Sequence, residues 1–329
     1  MPATSETRSW DAITTSTLEA SMGTMRDNII KGNPMLAYME SKGRILLLDG
    51  GLRIKADLMY GKNSTVKAQG AYDLLDTLPQ EGITAAFFDW KTVNGTLVIS
   101  RKERRQNSGK AAMFNLIDAK RQQLEMSFRE EVSRQLILGD GSDVGDLEIE
   151  GLALAVEVAA TSAYGGITPT GTSAWWKNGT EATAYSFAAN GLDLIRPLRR
   201  VASRSDIFSA TDLILCDGTL YDAFEAEHVL HLQFAVSGKQ NKSMFDLGIE
   251  NFTYKGATVM EDPQLDSTGY IYGLNTEFIK FAVDKESNFV ILPAVTPSDQ
   301  LATVAPMTLM ANIATNNRRK QWVKSGGSA

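Results

Sequence analysis

The sequence holds a single cysteine and two histidines in 329 residues. One thiol, Cys216, excludes an intrachain disulfide, so the chain is not a small disulfide-built scaffold. The histidines, His228 and His231, sit i,i+3 beside Glu225 and Glu227. Without a third anchored ligand they read as the exposed end of a helix rather than a metal site. A serine hydrolase is excluded on two counts: little imidazole is available as a base, and no Gly-x-Ser-x-Gly elbow occurs. No apolar run reaches the length of a membrane helix. The first residues, Met1-Pro2-Ala3-Thr4-Ser5-Glu6, lack a basic stretch followed by an apolar one, so no signal peptide is expected. Excess positive charge is also missing. With 33 basic and 39 acidic residues the net charge is −6, which disfavours a general nucleic-acid binder and leaves room only for a local basic patch. No internal repeat is visible.

What is present suits a globular chain. Hydrophobic residues make up 43 %, and the length fits one large domain or two ordinary ones. Residues 1–43 read as an extended arm: polar and Ser/Thr-rich, with a short helical patch at Met25–Ile30 that Asn33-Pro34 breaks. Residues 44–105 read as a long two-stranded ribbon and its base. The limbs are Arg44–Tyr60 and Ile83–Ser100, with a turn at Asp49-Gly50-Gly51 and a polar tip at Gly61–Gly82. Leu52, Ile54 and Ala56 alternate with Arg53, Lys55 and Asp57, the period of a half-buried strand. An isolated ribbon is marginal in water, so most of this one needs a cover, and a neighbouring subunit is the natural cover.

The region 106–150 carries one long helix, expected over Ser108–Leu138. Met113, Ile117, Leu124, Phe128, Val132 and Leu136 form a stripe that Lys120 interrupts. Arg121–Glu125–Arg129 and Glu130–Arg134 are spaced as i,i+4 ion pairs, and Gly139-Asp140-Gly141 ends the helix. Residues 151–268 alternate short helices and strands. Leu147–Val158 is a short element at their entrance, and Trp175-Trp176 reads as a packing anchor. Asn190–Ser205 reads as a helix that Pro197 should kink or whose start it should shift. Asp212–Cys216 is a buried strand, Gly218–Val229 a helix, and Phe252–Glu261 strand-like. Residues 269–329 return as strands at Tyr270–Asn275, Phe278–Val283, Phe289–Leu292 and finally Leu301–Asn312, followed by a basic tail.

Few segments invite chemistry. Leu213-Ile-Leu-Cys-Asp217-Gly-Thr resembles the opening of haloacid-dehalogenase-like phosphatases. Those enzymes need a nucleophilic carboxylate two residues before the Asp-Gly, and Leu215 stands there. Asp217 or Thr219 then serves as a helix cap. The glycine pairs lack the spacing of a phosphate loop. No catalytic residue, metal ligand or cofactor is expected. The tail cations Arg318, Arg319, Lys320 and Lys324, beside Trp322, are candidates to face DNA or a neighbour. Intersubunit contact falls to Tyr60, Lys62, Asn63, Lys67 and Tyr72 on the ribbon and Trp90 on its return limb. The helix adds Arg121, Glu125, Arg129, Glu130 and Arg134.

Several runs carry a resemblance. Met59-Tyr60-Gly61-Lys-Asn-Ser-Thr65-Val-Lys, Pro79-Gln-Glu-Gly82-Ile-Thr-Ala and the helix Lys120–Leu138 ending in Gly-Asp-Gly are three of them. Phe252-Thr-Tyr254-Lys-Gly256-Ala-Thr-Val-Met-Glu-Asp262 followed by Ile271-Tyr-Gly-Leu-Asn275 is a fourth. In this order they resemble tailed-bacteriophage major capsid proteins of the Hong Kong ninety-seven type. The resemblance implies an α+β chain with an N-arm, an extended E-loop hairpin, a peripheral domain with a long spine helix, and an axial α/β domain. It implies self-assembly into pentamers and hexamers of an icosahedral shell around double-stranded DNA, held by weak non-specific contact. Scaffold and portal proteins are implied partners, as is a possible decoration protein, with no membrane. The arm looks too short to hold a scaffold domain, so a separate scaffold is expected. A cellular encapsulin-like nanocompartment is the variant of the same fold. Some relatives cross-link a lysine to an asparagine, for which Lys62 or Lys67 would be the donor.

Overall fold

The computed structural model describes residues 33–106 without 69, 71, 73 and 75–78, then 110–141, 147–203 without 184, 187–192 and 194, 210–232, 252–298 and 301–328. In chain order the elements are α1 (Pro34–Ser41), β1 (Ile45–Leu48), β2 (Ile54–Met59), β3 (Ile83–Phe88), β4 (Lys91–Ser100), α2 (Arg101–Gln106) and α3 (Lys110–Leu138). Then come α4 (Leu152–Ala155), β5 (Gly179–Glu181), β6 (Tyr185–Ser186), α5 (Ile195–Ala202), β7 (Leu213–Cys216) and α6 (Gly218–Leu232). The chain closes with β8 (Phe252–Tyr254), β9 (Ala257–Glu261), β10 (Ile271–Leu274), β11 (Ile279–Asp284), β12 (Val290–Ile291), β13 (Ala302–Thr315), β14 (Trp322–Lys324) and β15 (Gly327–Ser328). By packing the chain divides into two units. One holds Asn94–Glu130 and Ile291–Met307, the other Lys31–Val93, Glu131–Val290 and Thr308–Ala329.

The larger unit is built on a six-stranded sheet in the order β5-β14-β10-β7-β9-β8. β7 is a run of four fully buried residues, Leu213-Ile-Leu-Cys216, parallel to β9 and antiparallel to β10. Such a doubly covered strand reads as continuous apolar sequence. Asp217 caps α6 by accepting from the Thr219 amide and hydroxyl, as expected. Leu215 lies fully buried within β7, where it offers no carboxylate to the chemistry its motif suggests. Trp176, Trp322, Tyr272 and Phe224 fill the interior. A second sheet pairs β1 with β11 in parallel and β11 with the end of β13 in antiparallel register.

Several sequence expectations need correction. Asn33-Pro34 starts a helix, which the sequence reading did not foresee. The Asn33 side chain accepts from the Leu36 amide at 2.9 Å, and Pro34 occupies the first helical position, where its missing N–H costs nothing. α1 is docked rather than arm-like: Met35, Tyr38 and Met39 are buried, and the Tyr38 hydroxyl donates to the Asp212 carbonyl. The patch at Met25–Ile30 lies outside the described residues. The ribbon is shorter than its alternation suggested. Only β2 and β3 pair, from Ile54–Phe88 to Met59–Ile83. β1 joins β11 instead, and β4 pairs with β13. Local alternation marks a strand without naming its partner, and long-range pairing decided here.

The helices follow local rules. α5 begins at Ile195, so Pro197 falls in the first turn, where the backbone amides lack intrahelical acceptors. In α3, Phe128, Val132 and Leu136 are buried, while Ile117 remains 39 % exposed. Gly139 ends the helix at a tight crossing; a Cβ there would lie 2.3 Å from the Ile149 carbonyl. In the smaller unit Ser100 and Glu103 form a reciprocal capping box at the start of α2 that the sequence reading missed. Lys120, the break in the apolar stripe, pairs there with Glu103 at 3.0 Å. β13 is not the last strand, because β14 enters the large sheet and β15 pairs with β6.

Candidate assembly surface

The short ribbon has two unlike faces. Ile54, Leu58, Ala86 and Phe88 are buried against the same chain. The Phe87 amide donates to the Gly165 carbonyl at 3.0 Å, and the Phe88 ring tilts onto Tyr164 at 4.9 Å. Gly165 has φ +62, and an added Cβ would sit 2.9 Å from Ala86 and Phe88 side-chain atoms. The backbone of this loop therefore lies flat on the ribbon, which only glycine permits. The base of the ribbon thus has its own cover, contrary to the expectation that a neighbour supplies most of it. The other face is bare: Met59 is 81 % exposed, Ile83 76 % and Phe87 46 %.

Two apolar residues described at the tip stand in water as well. Tyr72 is 100 % exposed and Leu74 92 %. Lys62 and Lys67 are exposed, and Asn63 folds back to accept from the Thr65 amide and hydroxyl, making a local Asx turn. Trp90 is half-buried and donates from Nε1 to the Gly51 carbonyl at 2.9 Å, so its polar atom is already committed.

Two of the expected ribbon residues, Tyr60 and Lys62, meet two tail cations in one place. Tyr60 stacks on Trp175, and beside them opens a cleft of about 410 Å³ lined also by Val201, Arg319 and Lys320. Sequence reasoning missed Trp175 as the ribbon's partner. Its pairing with Trp176 marked an anchor but not what it anchors. Trp176 is the buried half, with Nε1 donating to the Tyr164 carbonyl.

The helix residues behave differently from one another. Arg121 pairs with Glu125 at 2.8 Å as expected, and Arg129 is exposed. Arg134 pairs not with Glu130 but with Glu131, one step closer, and with Glu148. Its guanidinium hydrogen-bonds to both carboxylates, which hold its pKa above the ordinary value.

The tail overturns a reading outright. Arg318, Lys320 and Lys324 are buried, and Arg319 alone of the four is exposed. Arg318 donates to the Leu154 and Ala155 carbonyls at 2.8 Å, and its guanidinium lies 5.5 Å from the Tyr164 ring centre. Lys324 sits in β14, 5.0 Å from the Tyr185 ring, and donates to the Thr183 carbonyl. Burial pushes both pKa values down. A run of cations reads as a solvated face, but here Trp322 and Val323 carry the run into a sheet and their charged neighbours go with them. His228 and His231 lie on α6, with side chains outside the described residues. No cluster of His, Cys, Asp or Glu able to hold a metal occurs among the described residues.

No protein-family model matches the sequence, and no curated protein is similar to it. Solved structures are similar. The capsid of cyanophage A-1(L) matches with a TM-score of 0.68 at 13 % identity, over 94 % of this chain and 96 % of that one. The SrpI encapsulin of Synechococcus elongatus matches with a TM-score of 0.60 at 9 % identity, over 96 % and 95 %. The capsid of Myoviridae phage XM1 matches with a TM-score of 0.57 at 11 % identity, over 94 % and 97 %. Such identities speak for architecture alone, and by architecture this α+β chain has the Hong Kong ninety-seven-type fold of phage capsid and encapsulin shells.

Proposed function

We propose that the chain is the major capsid protein of a tailed phage, assembling in the host cytoplasm into pentamers and hexamers of an icosahedral head around double-stranded DNA. The observation that carries this reading is the match to capsid subunits over nearly the full length of both chains. The bare ribbon face and tip support it, because a soluble monomer gains nothing from holding Tyr72, Leu74, Met59 and Ile83 in water. In this reading residues 54–88 are the E-loop, α3 the spine helix, and the six-stranded sheet the axial domain. The function is structural, and scaffold and portal proteins belong to it as partners.

The physical logic is many weak contacts. A single contact of about 4 kcal/mol holds at millimolar concentration and lets wrong pairings anneal. A subunit tied to several neighbours gains through effective concentration, so the closed shell far outlasts any one contact. The net charge of −6 suits a container whose cargo of DNA must enter and leave.

The encapsulin match supports a second reading, a protein-filled compartment. Negative-stain microscopy of the purified chain tests the shared part: closed particles tens of nanometres wide are expected, and a monodisperse 35.9 kDa monomer at high concentration ends both readings. Nuclease-protected DNA inside particles from infected or induced cells separates them, since a compartment would hold protein instead.

A further inference from the structure

We propose that the exposed face of α2, formed by Arg101, Lys102 and Arg105, holds phosphates of the enclosed duplex DNA and so marks the inner surface of the shell. The inference rests on the shell reading and names the surface that its cargo touches. Charge is not spread evenly over this chain. Residues 94–130 hold eight basic and four acidic residues, a local balance of +4, so the other residues together carry −10. Much of the excess lies in α2 itself, Arg101-Lys-Glu-Arg-Arg-Gln106, with four cations in six residues. A local basic patch is what a polyanion needs from an otherwise acidic protein.

The fold fixes how these cations stand. At about 100° per residue, Arg101, Lys102 and Arg105 share about a third of the helix circumference, and Glu103 falls on the far side. All three cations are exposed. Glu103 accepts from the Ser100 amide and pairs with Lys120 at 3.0 Å, so the one acid of the helix is committed away from the cationic face. The other ion pair of this region joins Arg121 to Glu125 and again leaves the three cations out. The Glu103 amide donates to the Ser100 hydroxyl, and the Arg101 amide to the Leu301 carbonyl at 2.9 Å, which together hold the start of α2 in place. Arg101 and Arg105 stand one turn apart, about 6 Å along the axis, close to two phosphate steps of one DNA strand at about 3.4 Å each. α2 has no apolar residue. A protein partner draws most of its affinity from aromatic and aliphatic anchors, whereas phosphate contact needs only cations on an open face. Such a hold is sequence-independent and salt-sensitive, which suits cargo that must also leave.

Titration of the full-length subunit, kept too dilute to assemble, tests this. The probe is a labelled duplex of about 30 base pairs, read by fluorescence anisotropy from about 50 to about 200 mM salt. Binding should weaken steeply with salt. Arg101→Gln, Lys102→Gln and Arg105→Gln together should weaken it about tenfold or more at the lowest salt and lower the slope of log affinity against log salt by about two to three. The three side chains are exposed, so the melting temperature should hold. Should it fall, Lys102→Gln alone is read instead, with a slope lower by about one expected. Lys280→Gln, which removes an exposed cation elsewhere, should leave binding within about twofold. No binding by the unmodified subunit, or an unchanged slope in the variant read, overturns the inference. So does a poly-glutamate peptide that competes as well as unlabelled duplex at equal charge, because the face then suits an acidic protein segment. Closed empty particles should leave the probe free, since the face lies inside; binding by them sets it outside and overturns the inward assignment. Particles formed by the unmodified chain keep the shell reading intact through any of these failures, and their absence removes the shell reading itself.

Discussion

The Tyr60 ring lies nearly parallel to the Trp175 indole, with centroids 5.1 Å apart and planes 18° from each other. This stack joins the top of the ribbon base to the loop beneath it. Trp175→Ala should cost about 1 kcal/mol in stability through the lost ring contact. It should also speed proteolytic nicking between Gly61 and Gly82, as the ribbon loses its last rigid support before the tip. An unchanged nicking rate would show that Gly165 alone fixes the ribbon.

Gly273 and Trp322 face each other across β10 and β14, and the indole occupies the space a side chain would need. A Cβ on Gly273 would fall 1.9 Å from the ring. The ring is held in place, since its Nε1 donates to the buried Thr211 hydroxyl just before β7. Gly273→Ala should therefore destabilise the sheet by about 3 kcal/mol, at the upper end of overpacking, or abolish soluble expression. Thermal unfolding against the unmodified protein reads the effect.

The tail cations should separate sharply on truncation. Arg318→Ala strands the Leu154 and Ala155 carbonyls, at a cost of about 3 kcal/mol or more. Arg319→Ala removes an exposed charge and should stay within about 0.5 kcal/mol of the unmodified protein. Denaturant melts of the two variants check the contrast. Equal stabilities would mean Arg318 is not the buried clamp described.

Glu261 gives a pH signature. Burial raises its carboxyl above the ordinary value, and Asp266, Asp222 and Asp217 push it further the same way. A carboxyl whose folded pKa exceeds its unfolded one favours folding while protonated, and that advantage fades as pH rises through the folded value. Glu261→Gln should therefore melt higher than the unmodified protein at about pH 7 and equal to it by about pH 4. A constant difference across the range would mean the ionised side chain carries no penalty.

If the chain forms the proposed shell, the tip should be dispensable for folding and needed for assembly. The Tyr60 amide donates to the Gly82 carbonyl at 2.9 Å, and Gly61 and Gly82 touch backbone to backbone. Removing residues 62–81 joins these glycines into a short hairpin loop that β2 and β3 tolerate. Near-normal melting with no particles is expected. Normal particles would show that the tip makes no necessary contact.

Much of the large sheet was legible locally. β7 announced itself as a short apolar run, and the end of α3 by Gly139-Asp-Gly141, whereas Phe252–Glu261, read as one strand-like stretch, is two antiparallel strands turning at Lys255-Gly256. Pro197 set the start of α5. The partners of strands were not legible. Arg44–Leu48 and Lys91–Ser100 have strand patterns that fit a ribbon as well as they fit β11 and β13, and only the tertiary structure chose. The cleft was half legible. Tyr60, Lys62, Arg319 and Lys320 were singled out, but Lys62 and Arg319 lie 257 positions apart in the sequence, and no local pattern joins them. The Asn33-Pro34 cap could have been read, since that pair starts helices as readily as it ends them.

The placement of β14 sets the order of events in a cell. Of the six strands in its sheet it is synthesised last, yet it lies between β5 and β10. While residues 322–324 are still within the ribosome, β5 has no partner to hold it, and the indole that fills the space over Gly273 is missing. The six-stranded sheet of a nascent chain therefore stays unfinished until residues 322–324 have emerged, however early its other strands are made.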